Sequence, residues 1–334
     1  MTLKLSILDQ SSIAEGSTAE EGLKQTVELA KIADELGFTR FWVSEHHDAP
    51  TLAGSSPEVL IAHLASKTER IKVGSGGVML PHYSSYKVAE NFKVLEGLTP
   101  GRIDLGIGRA PGGMPRASYA LGDGKPRDIN RYPEQIDELL QYLHDDVPAD
   151  HPYGNIKATP VTQTVPDVWV LGSSPSSALT AAEKGLPYTF ALFINGEGGP
   201  LYTKRYKERF APSDYYKEPQ NTVAVFAICG ETMEDAERIA SSLDLSMVML
   251  EQGMPSKGTP SPEKAMSYEY TPYEMMRVQE NRKRMIIGDI DHIEKELYRL
   301  SEEYGTDEIM LTTITYDFED KVNSFKRIAE RMLK

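Results

Sequence analysis

Cysteine is nearly absent from the sequence, and this narrows the chemistry of the protein. Cys229 is the only cysteine among 334 residues, which excludes an internal disulfide bond and a cysteine-based zinc site. Long apolar runs are missing too. No stretch approaches the ~20 apolar residues of a membrane-spanning helix, and the first apolar run is too short for a signal peptide. We therefore expect a cytoplasmic protein with no membrane partner.

Basic residues are outnumbered by acidic ones. The chain has 36 lysines and arginines against 50 aspartates and glutamates, a formal net charge of -14. This balance argues against nucleic acid or an anionic membrane as a partner. It is still compatible with a phosphorylated cofactor, because one arginine and one helix N-terminus can hold a phosphate.

Predicted strands and helices alternate eight times along the chain. Strict alternation implies a parallel sheet with right-handed crossovers, and eight units favour a closed (β/α)8 TIM barrel over an open doubly wound sheet. We predict one domain over residues 1–334, with an insertion of about forty residues that follows the seventh strand and its helix, after Leu243. The predicted strands are 3–8, 39–44, 71–80, 102–107, 167–171, 188–193, 222–229 and 308–314.

The second predicted strand ends in the cluster Glu45-His46-His47-Asp48. Adjacent residues of a strand face opposite ways, so His46 and His47 are badly placed to bind one metal ion, and no other histidine cluster completes a site. A single imidazole near pH 7 acts best as a general acid or base oriented by a neighbouring carboxylate. We therefore predict that one imidazole and one carboxylate of this cluster act in catalysis, with no metal.

The third predicted strand contains Gly74, Gly76 and Gly77 within four positions. Glycine weakens a strand, so this density requires a reason. One interpretation is a bulge or tight packing at the barrel wall. The other is a flat ligand lying on bare backbone, over a strained peptide such as a non-proline cis bond. Composition alone does not separate the two.

Two further elements predict a phosphate site. Arg109 follows the fourth strand in a long loop, and a guanidinium grips phosphate with a fixed fork of donors; the alternative is a salt-bridged surface arginine. After the fifth strand, Ser174 and Pro175 suit the cap and first turn of a helix. The amides of Ser176 and Ser177 then point out of a helix start that favours anions. Because these strands are neighbours, we expect both elements side by side.

Several segments in this order resemble one family. They are WVSEHH at residues 42–47, GSGGVMLP at 74–81, PGRIDLGIGRAPG at 100–112 and VLGSS at 170–174. These segments are similar to those of the luciferase-like flavin monooxygenases, in particular the single-subunit, alkanal monooxygenase-like bacterial members. The resemblance spans most of the chain and implies the same (β/α)8 barrel.

The resemblance also implies roles for individual residues. His46, with Glu45 beside it, takes the place of the family's active-site histidine near the flavin ring. Gly76 and Gly77 take the place of a non-proline cis peptide under that ring. The residues that match the FMN phosphate grip are Arg109, Ser173, Ser174 and Ser177.

The implied activity is FMNH2-dependent monooxygenation, in which O2 forms a flavin peroxide that oxygenates a small, aldehyde-like substrate. The resemblance further implies a separate flavin reductase as partner, a homodimer formed through the helices after the second and third strands, and a mobile lid in the insertion. Light-emitting relatives have a cysteine at the position of Gly108, so we do not expect efficient light emission. Two alternatives stay open: a deazaflavin-dependent oxidoreductase, and a non-catalytic flavin-binding or storage protein.

Overall fold

A computed structural model describes residues 3–333 of the chain. This part contains nine β-strands, which all pair in parallel. They are β1 Lys4–Asp9, β2 Arg40–Val43, β3 Lys72–Met79, β4 Ile103–Gly108, β5 Asp167–Gly172, β6 Tyr188–Ala191, β7 Asn221–Cys229, β8 Met285–Gly288 and β9 Glu308–Thr312.

Eight of these strands close into a barrel. Strands β1 to β6 lie side by side in chain order, β6 pairs with β7, β7 with β9, and β9 with β1. The predicted (β/α)8 barrel is therefore confirmed, with β9 as its eighth strand. The carboxyl ends of all the strands meet at one rim of such a barrel, which we call the mouth.

Helices follow the strands and cover the barrel. The side chain of Thr18 accepts the N–H of Glu21 at 3.2 Å and caps the first helix, and Gly37 ends it with a φ of 86°. None of the helices in residues 3–333 is long and apolar enough to cross a membrane. The helices are α1 Ala19–Leu36, α2 Pro57–Ala65, α3 Ser85–Leu98, α4 Pro115–Leu121, α5 Tyr132–Leu143, α6 Pro175–Glu183, α7 Gly199–Arg209, α8 Met233–Glu251, α9 Pro262–Met266, α10 Pro272–Arg282, α11 Ile290–Tyr304 and α12 Phe318–Met332.

The segment after β7 differs most from the predicted elements. An irregular stretch is expected after Leu243, but α8 continues to Glu251, and α9, α10 and β8 follow. Strand β8 pairs with the last four residues of β7 and lies outside the closed ring. The carboxylate of Asp244 on α8 accepts hydrogen bonds of 2.8 and 2.6 Å from Arg282 on α10. This pair joins residues far apart in the chain, so a local pattern cannot predict it.

The long connection after β4 is partly helical. It is expected to be a loop, yet α4 begins at Pro115, and a single 3-10 turn covers Ile129–Arg131. Proline suits the first turn of a helix because its missing N–H has no partner to lose there. Arg109 and Arg127 remain outside both helices, in the segments that flank α4.

Side chains fill the barrel in layers. Near the amino ends of the strands, the carboxylate of Asp104 accepts hydrogen bonds from Arg40 at 2.8 Å and from the indole of Trp42 at 2.9 Å. Arg40 also donates to Glu308 at 2.8 Å. The interior is thus a packed core, which places a site of the usual barrel type at the mouth. Above this polar floor lies an apolar layer formed by Leu8, Trp42, Trp169, Ala224 and Met310.

Replacing Gly106 with alanine tests the close approach of β3 and β4. A Cβ there would lie 2.7 Å from Leu171 Cδ1 and closer still to the carbonyl oxygen of Ser75, so we expect a loss of about 3 kcal/mol in the free energy of unfolding. As a control, a Cβ at Gly97 in α3 would meet only Thr162 Cγ2, at 3.4 Å. Gly97→Ala should raise stability by up to about 1 kcal/mol, because alanine favours helix. Urea unfolding measures both, and wild-type stability in Gly106→Ala would contradict the packing.

Candidate active site

His46 lies at the mouth, three residues beyond the end of β2. Its backbone N–H donates to the carbonyl of Gly54 at 2.8 Å, which fixes the course of the chain after the strand. Its ring nitrogen Nδ1 is buried and has no hydrogen-bond partner among the described residues. Burial, followed by the neighbouring charge of His47, lowers the pKa of His46 to about 4. The imidazole is therefore neutral at pH 7, and its Nδ1 makes no hydrogen bond to the described part of the chain.

Glu45 is 2% exposed, and its carboxylate binds groups of the protein itself. Oxygen Oε1 accepts from His47 Nε2 at 2.7 Å and from the Tyr83 hydroxyl at 2.9 Å. Oxygen Oε2 accepts the backbone N–H of Met79 at 3.1 Å. The carboxylate thus ties the end of β2 to the end of β3. The catalytic role expected for Glu45 stays a prediction; the structure adds Tyr83, which the sequence did not indicate, as a partner of this carboxylate.

The glycines of β3 pack tightly against their neighbours. A Cβ at Gly76 would lie 2.6 Å from Leu8 Cδ1, and one at Gly77 would lie 2.6 Å from the carbonyl oxygen of Gly106. The register of β3 on β4 shifts between Gly76 and Val78, and the Gly76–Gly77 peptide bond is cis. Tight packing alone explains why glycine is needed at these positions. The other interpretation, that a flat ligand lies on this backbone, therefore needs support from the groups around it. The result is bare backbone at the mouth.

Arg109 follows directly after β4 and reaches the start of α6. Its guanidinium nitrogen Nη1 lies 3.5 Å from the hydroxyl oxygen of Ser176. The backbone N–H of Ser176 makes no hydrogen bond within residues 3–333, as expected in the first turn of a helix. A guanidinium, a hydroxyl and an unpaired amide at the positive end of a helix together suit an anion.

The predicted serines differ in what they offer a ligand. Ser174 and Ser177 form a capping box, in which each hydroxyl accepts the backbone N–H of the other residue at 3.3 Å. The carbonyl of Ser173 accepts the side-chain amide of Asn195 at 2.9 Å. Three of the predicted groups thus hold the helix start in shape, while Ser176 has the hydroxyl that faces Arg109. Among the four serines on either side of Pro175, the sequence does not indicate which one's hydroxyl stays free to face Arg109.

Arg127 is a second cation at this place, and the sequence did not single it out. Its Nη1 donates to the carbonyl of Ala110 at 2.9 Å. Burial, and then the nearby positive charge of Arg109, lowers the pKa of Arg127. Two guanidinium groups held close enough to repel each other are stabilised by a bound anion. The one feature of the sequence that could have indicated Arg127 is the number of arginines in this loop.

The loop that carries both arginines is fastened to the histidine segment. The N–H of His47 donates to the carbonyl of Gly112 at 2.7 Å, and His82 Nε2 donates to the carbonyl of Pro111 at 2.9 Å. Asp48 and Arg116 form an ion pair across the same boundary. The cationic part of the mouth and the imidazole part are therefore held in a fixed relation.

The insertion is docked on the loop after β1. The N–H of Glu15 donates to the carbonyl of Thr259, and the N–H of Thr259 donates to the carbonyl of Ile13, both at 2.8 Å. Lys264 adds an ion pair with Glu15 at 2.8 Å. The segment lies where a lid would be, and its mobility stays a prediction. Within residues 3–333, no three histidine, cysteine, aspartate or glutamate side chains are grouped to hold a metal ion.

A model of the luciferase-like monooxygenase family matches residues 3–332. The chain belongs to this family. The uncharacterized protein YwcH of Bacillus subtilis (strain 168) is 57% identical over 328 residues, 98% of each chain. The N-acetyl-S-alkylcysteine monooxygenase of Bacillus subtilis (strain 168) is 39% identical over 332 residues, 99% of this chain and 98% of that one. The solved structure of apo-MsnO8 has a TM-score of 0.92 at 34% identity and 98% coverage of both chains. The predicted enzyme class, a flavin-dependent monooxygenase, is confirmed at this level.

More distant structures share the fold alone with this luciferase-like monooxygenase. The oxygenating constituent of 3,6-diketocamphane monooxygenase, solved with FMN, has a TM-score of 0.70 at 18% identity, over 99% of this chain and 98% of that one. An F420-dependent secondary alcohol dehydrogenase has a TM-score of 0.63 at 14% identity, over 98% of both. The barrel therefore occurs with FMN and with the deazaflavin F420, so the fold does not decide between them.

The lowered pKa of His46 predicts how the free energy of unfolding depends on pH. Its pKa is about 4 in the folded chain and about 6.5 when unfolded, so its stabilising contribution is complete above pH 6.5. About 3 kcal/mol is lost as the pH falls from 6.5 to 4, because the unfolded chain binds a proton first. Urea unfolding between pH 7 and pH 4 should show this loss in the wild type and in His63→Gln, a control on the exposed face of α2. His46→Gln should lack it, and an unchanged pH dependence in that variant would contradict a buried neutral imidazole.

Proposed function

We propose that this luciferase-like monooxygenase uses reduced FMN and O2 to oxygenate a small organic substrate at the mouth of the barrel. One observation carries the proposal. His46, with an unpartnered imidazole nitrogen, follows β2, and Arg109 of the anion site follows β4, so only β3 lies between them. Strands lie ~5 Å apart, so β2 and β4 are about 10 Å apart. A flat ring joined to a phosphate arm spans that distance.

The residues present fit FMN. The phosphate would be held by Arg109, Arg127 and the hydroxyl and amide of Ser176, and the ring would lie against the bare backbone at Gly76 and Gly77. Reduced FMN, when bound, supplies the two electrons with which one oxygen atom of O2 enters the substrate and the other leaves as water. A wall without side chains lets a flat ring approach the backbone closely.

In this proposal His46 transfers a proton. The neutral imidazole can donate from one ring nitrogen and accept at the other. Burial and the charge of His47 disfavour the imidazolium, so a proton taken up by His46 is readily passed on. The carboxylate of Glu45 contributes indirectly, because it holds His47 and the backbone after β3 in place.

The substrate is proposed from the resemblance and from one relative. The family resemblance favours an aldehyde-like substrate. The relative named N-acetyl-S-alkylcysteine monooxygenase, 39% identical over nearly the whole chain, favours a thioether. Both classes accept one oxygen atom, so decanal and N-acetyl-S-methylcysteine are the first substrates to compare. A separate flavin reductase would supply FMNH2 in either case.

Binding of reduced flavin tests the cofactor. In anaerobic titrations Arg109→Ala should weaken binding of reduced FMN by about 10- to 100-fold, because charge-assisted hydrogen bonds contribute about 1.5–3 kcal/mol. Reduced riboflavin lacks the phosphate, so its affinity should not change. Arg299→Ala is the control, because Arg299 is exposed on α11, outside the mouth, and paired with Glu296.

Mixing the reduced complex with O2 then separates the candidate functions. Oxygenated decanal or sulfoxide, formed in proportion to FMNH2, supports monooxygenation. Tight FMN binding without product from either substrate supports a storage protein. Stronger binding of reduced F420 than of reduced FMN would overturn the cofactor proposal and support the deazaflavin enzyme.

We further propose a homodimer through α2 and α3. Val59 and Leu98 are 68% and 69% exposed, and Val94 on the same pair of helices is exposed as well. Large exposed apolar side chains on two neighbouring helices suit an interaction surface. Light scattering at micromolar concentration should give twice the mass of the chain. Leu98→Glu should give the monomer mass, while Leu250→Glu on α8, at 79% exposure, should not. A monomeric wild type would end this proposal.

A further inference from the structure

Three residues form the next layer above the apolar interior, on three neighbouring strands. Leu8, Trp42 and Met310 belong to the apolar layer, on β1, β2 and β9, which are adjacent in the barrel. Two positions further along the chain come Gln10 and Ser44, each one residue beyond the end of β1 or β2, and Thr312, the last residue of β9. Side chains two positions apart in extended chain point the same way, so these three polar side chains point into the barrel, one step nearer the mouth. We call them the polar layer.

The polar layer lacks hydrogen bonds. The hydroxyls of Ser44 and Thr312 are buried and have no partner among residues 3–333, although these residues are only 4% and 0% exposed. The side-chain amide of Gln10 makes no hydrogen bond in the same range. The next residue after Thr312 behaves differently: the hydroxyl of Thr313 donates to the carbonyl of Ala227 at 2.6 Å.

Unpaired buried hydroxyls are unfavourable, and most proteins avoid them. Two such hydroxyls, those of Ser44 and Thr312, lie at strand ends of the same mouth, where Nδ1 of His46 is also unpartnered among the described residues. They also lie beside the bare backbone of β3, since a Cβ on Gly76 would touch Leu8 and Trp42 directly beneath this layer. Polar groups kept without a partner at such a place are suited to a ligand rather than to the fold.

The layer has no charge of its own. Lys321, near the end of β1, is paired with Asp9 at 3.2 Å, and Arg40 is paired with Asp104 and Glu308 in the floor. Hydroxyls, an amide and an imidazole nitrogen recognise an uncharged group that accepts and donates hydrogen bonds. A bare alkyl chain would leave all of them unpaired.

We propose that Ser44 and Thr312, with Gln10 and His46, bind an uncharged carbonyl or amide group of the substrate and so determine its class. This inference rests on the proposed function, because it describes the substrate side of the same mouth. The substrate is then a small molecule with an amide or similar group close to the atom that is oxidised. Recognition through hydrogen bonds discriminates strongly against analogues that lack the group.

Calorimetric binding tests this inference without turnover. The probes are N-acetyl-S-methylcysteamine, a neutral thioether with one amide, and hexyl methyl sulfide, which has the same number of heavy atoms and no amide. The wild type should bind the amide probe at least tenfold more tightly. In Ser44→Ala and Thr312→Val this preference should fall to less than threefold. Equal binding of the two probes by the wild type, or no binding of the amide probe at millimolar concentration, overturns the inference.

Thermal unfolding shows whether the hydroxyls serve the fold instead. Ser44→Ala and Thr312→Val should raise the melting temperature by about 1–4 °C, because each removes an unpaired buried hydroxyl. Ser242→Ala is the matched control: its hydroxyl on α8 is equally buried and unpartnered. It should raise the melting temperature and leave the probe preference at the wild-type value. Lower melting temperatures for the two mouth variants would show a structural role and overturn the inference. If the wild type does not bind reduced FMN, the proposed cofactor is wrong. The preference of the wild type for the amide probe is measured without FMN, so it still tests the polar layer.

Discussion

The buried carboxylate of Asp104 holds the floor of the barrel, and the layers above depend on it. Asp104 accepts hydrogen bonds from Arg40 and Trp42, and its complete burial raises the pKa of this carboxyl while the charges of Arg40 and Lys72 oppose that rise. Arg40 in turn lies over the ring of Trp169 at 4.6 Å. A buried charge that loses its partners is strongly destabilising, so this group fixes the orientation of both tryptophans and with them the apolar layer.

The apolar layer then determines the shape of the wall above it. Leu8 and Trp42 leave no room for a side chain at Gly76, and the backbone of Gly106 leaves none at Gly77. Close packing of β2, β3 and β4 therefore produces a stretch of bare backbone at the mouth. The same feature suits a flat ligand, so the structural and the functional explanations of these glycines do not exclude each other. The amino-acid composition could not separate these two explanations, because both require glycine at the same positions.

The sequence predicts what depends on local pattern and on strand order. Alternation gives the barrel, and strand ends give the positions of His46 and Arg109, since every carboxyl end lies at the mouth. The rest depends on contacts between distant segments. Arg127 reaches the anion site only through the path of its loop, α8 is prolonged by a pair with α10, and Glu45 turns toward Tyr83 because β2 has already ended at Val43. The local pattern of apolar and polar residues does not encode these contacts between distant segments.

The mouth has two unlike halves, and this division resolves an apparent conflict in the charge of the protein. A chain with a net charge of -14 repels anions at long range, yet Arg109 reaches a helix start and Arg127 lies close enough to feel its charge. Salt screens charges beyond ~8 Å, so within the mouth these two cations outweigh the acidic surface. On the other side, Ser44 after β2 and Thr312 on β9 carry uncharged hydroxyls that have no partner among residues 3–333. Hydrogen bonds between the histidine segment and the arginine loop hold the two halves together. An anionic group and an uncharged polar group would therefore bind on opposite sides of the same bare backbone, in a fixed relation set by the barrel.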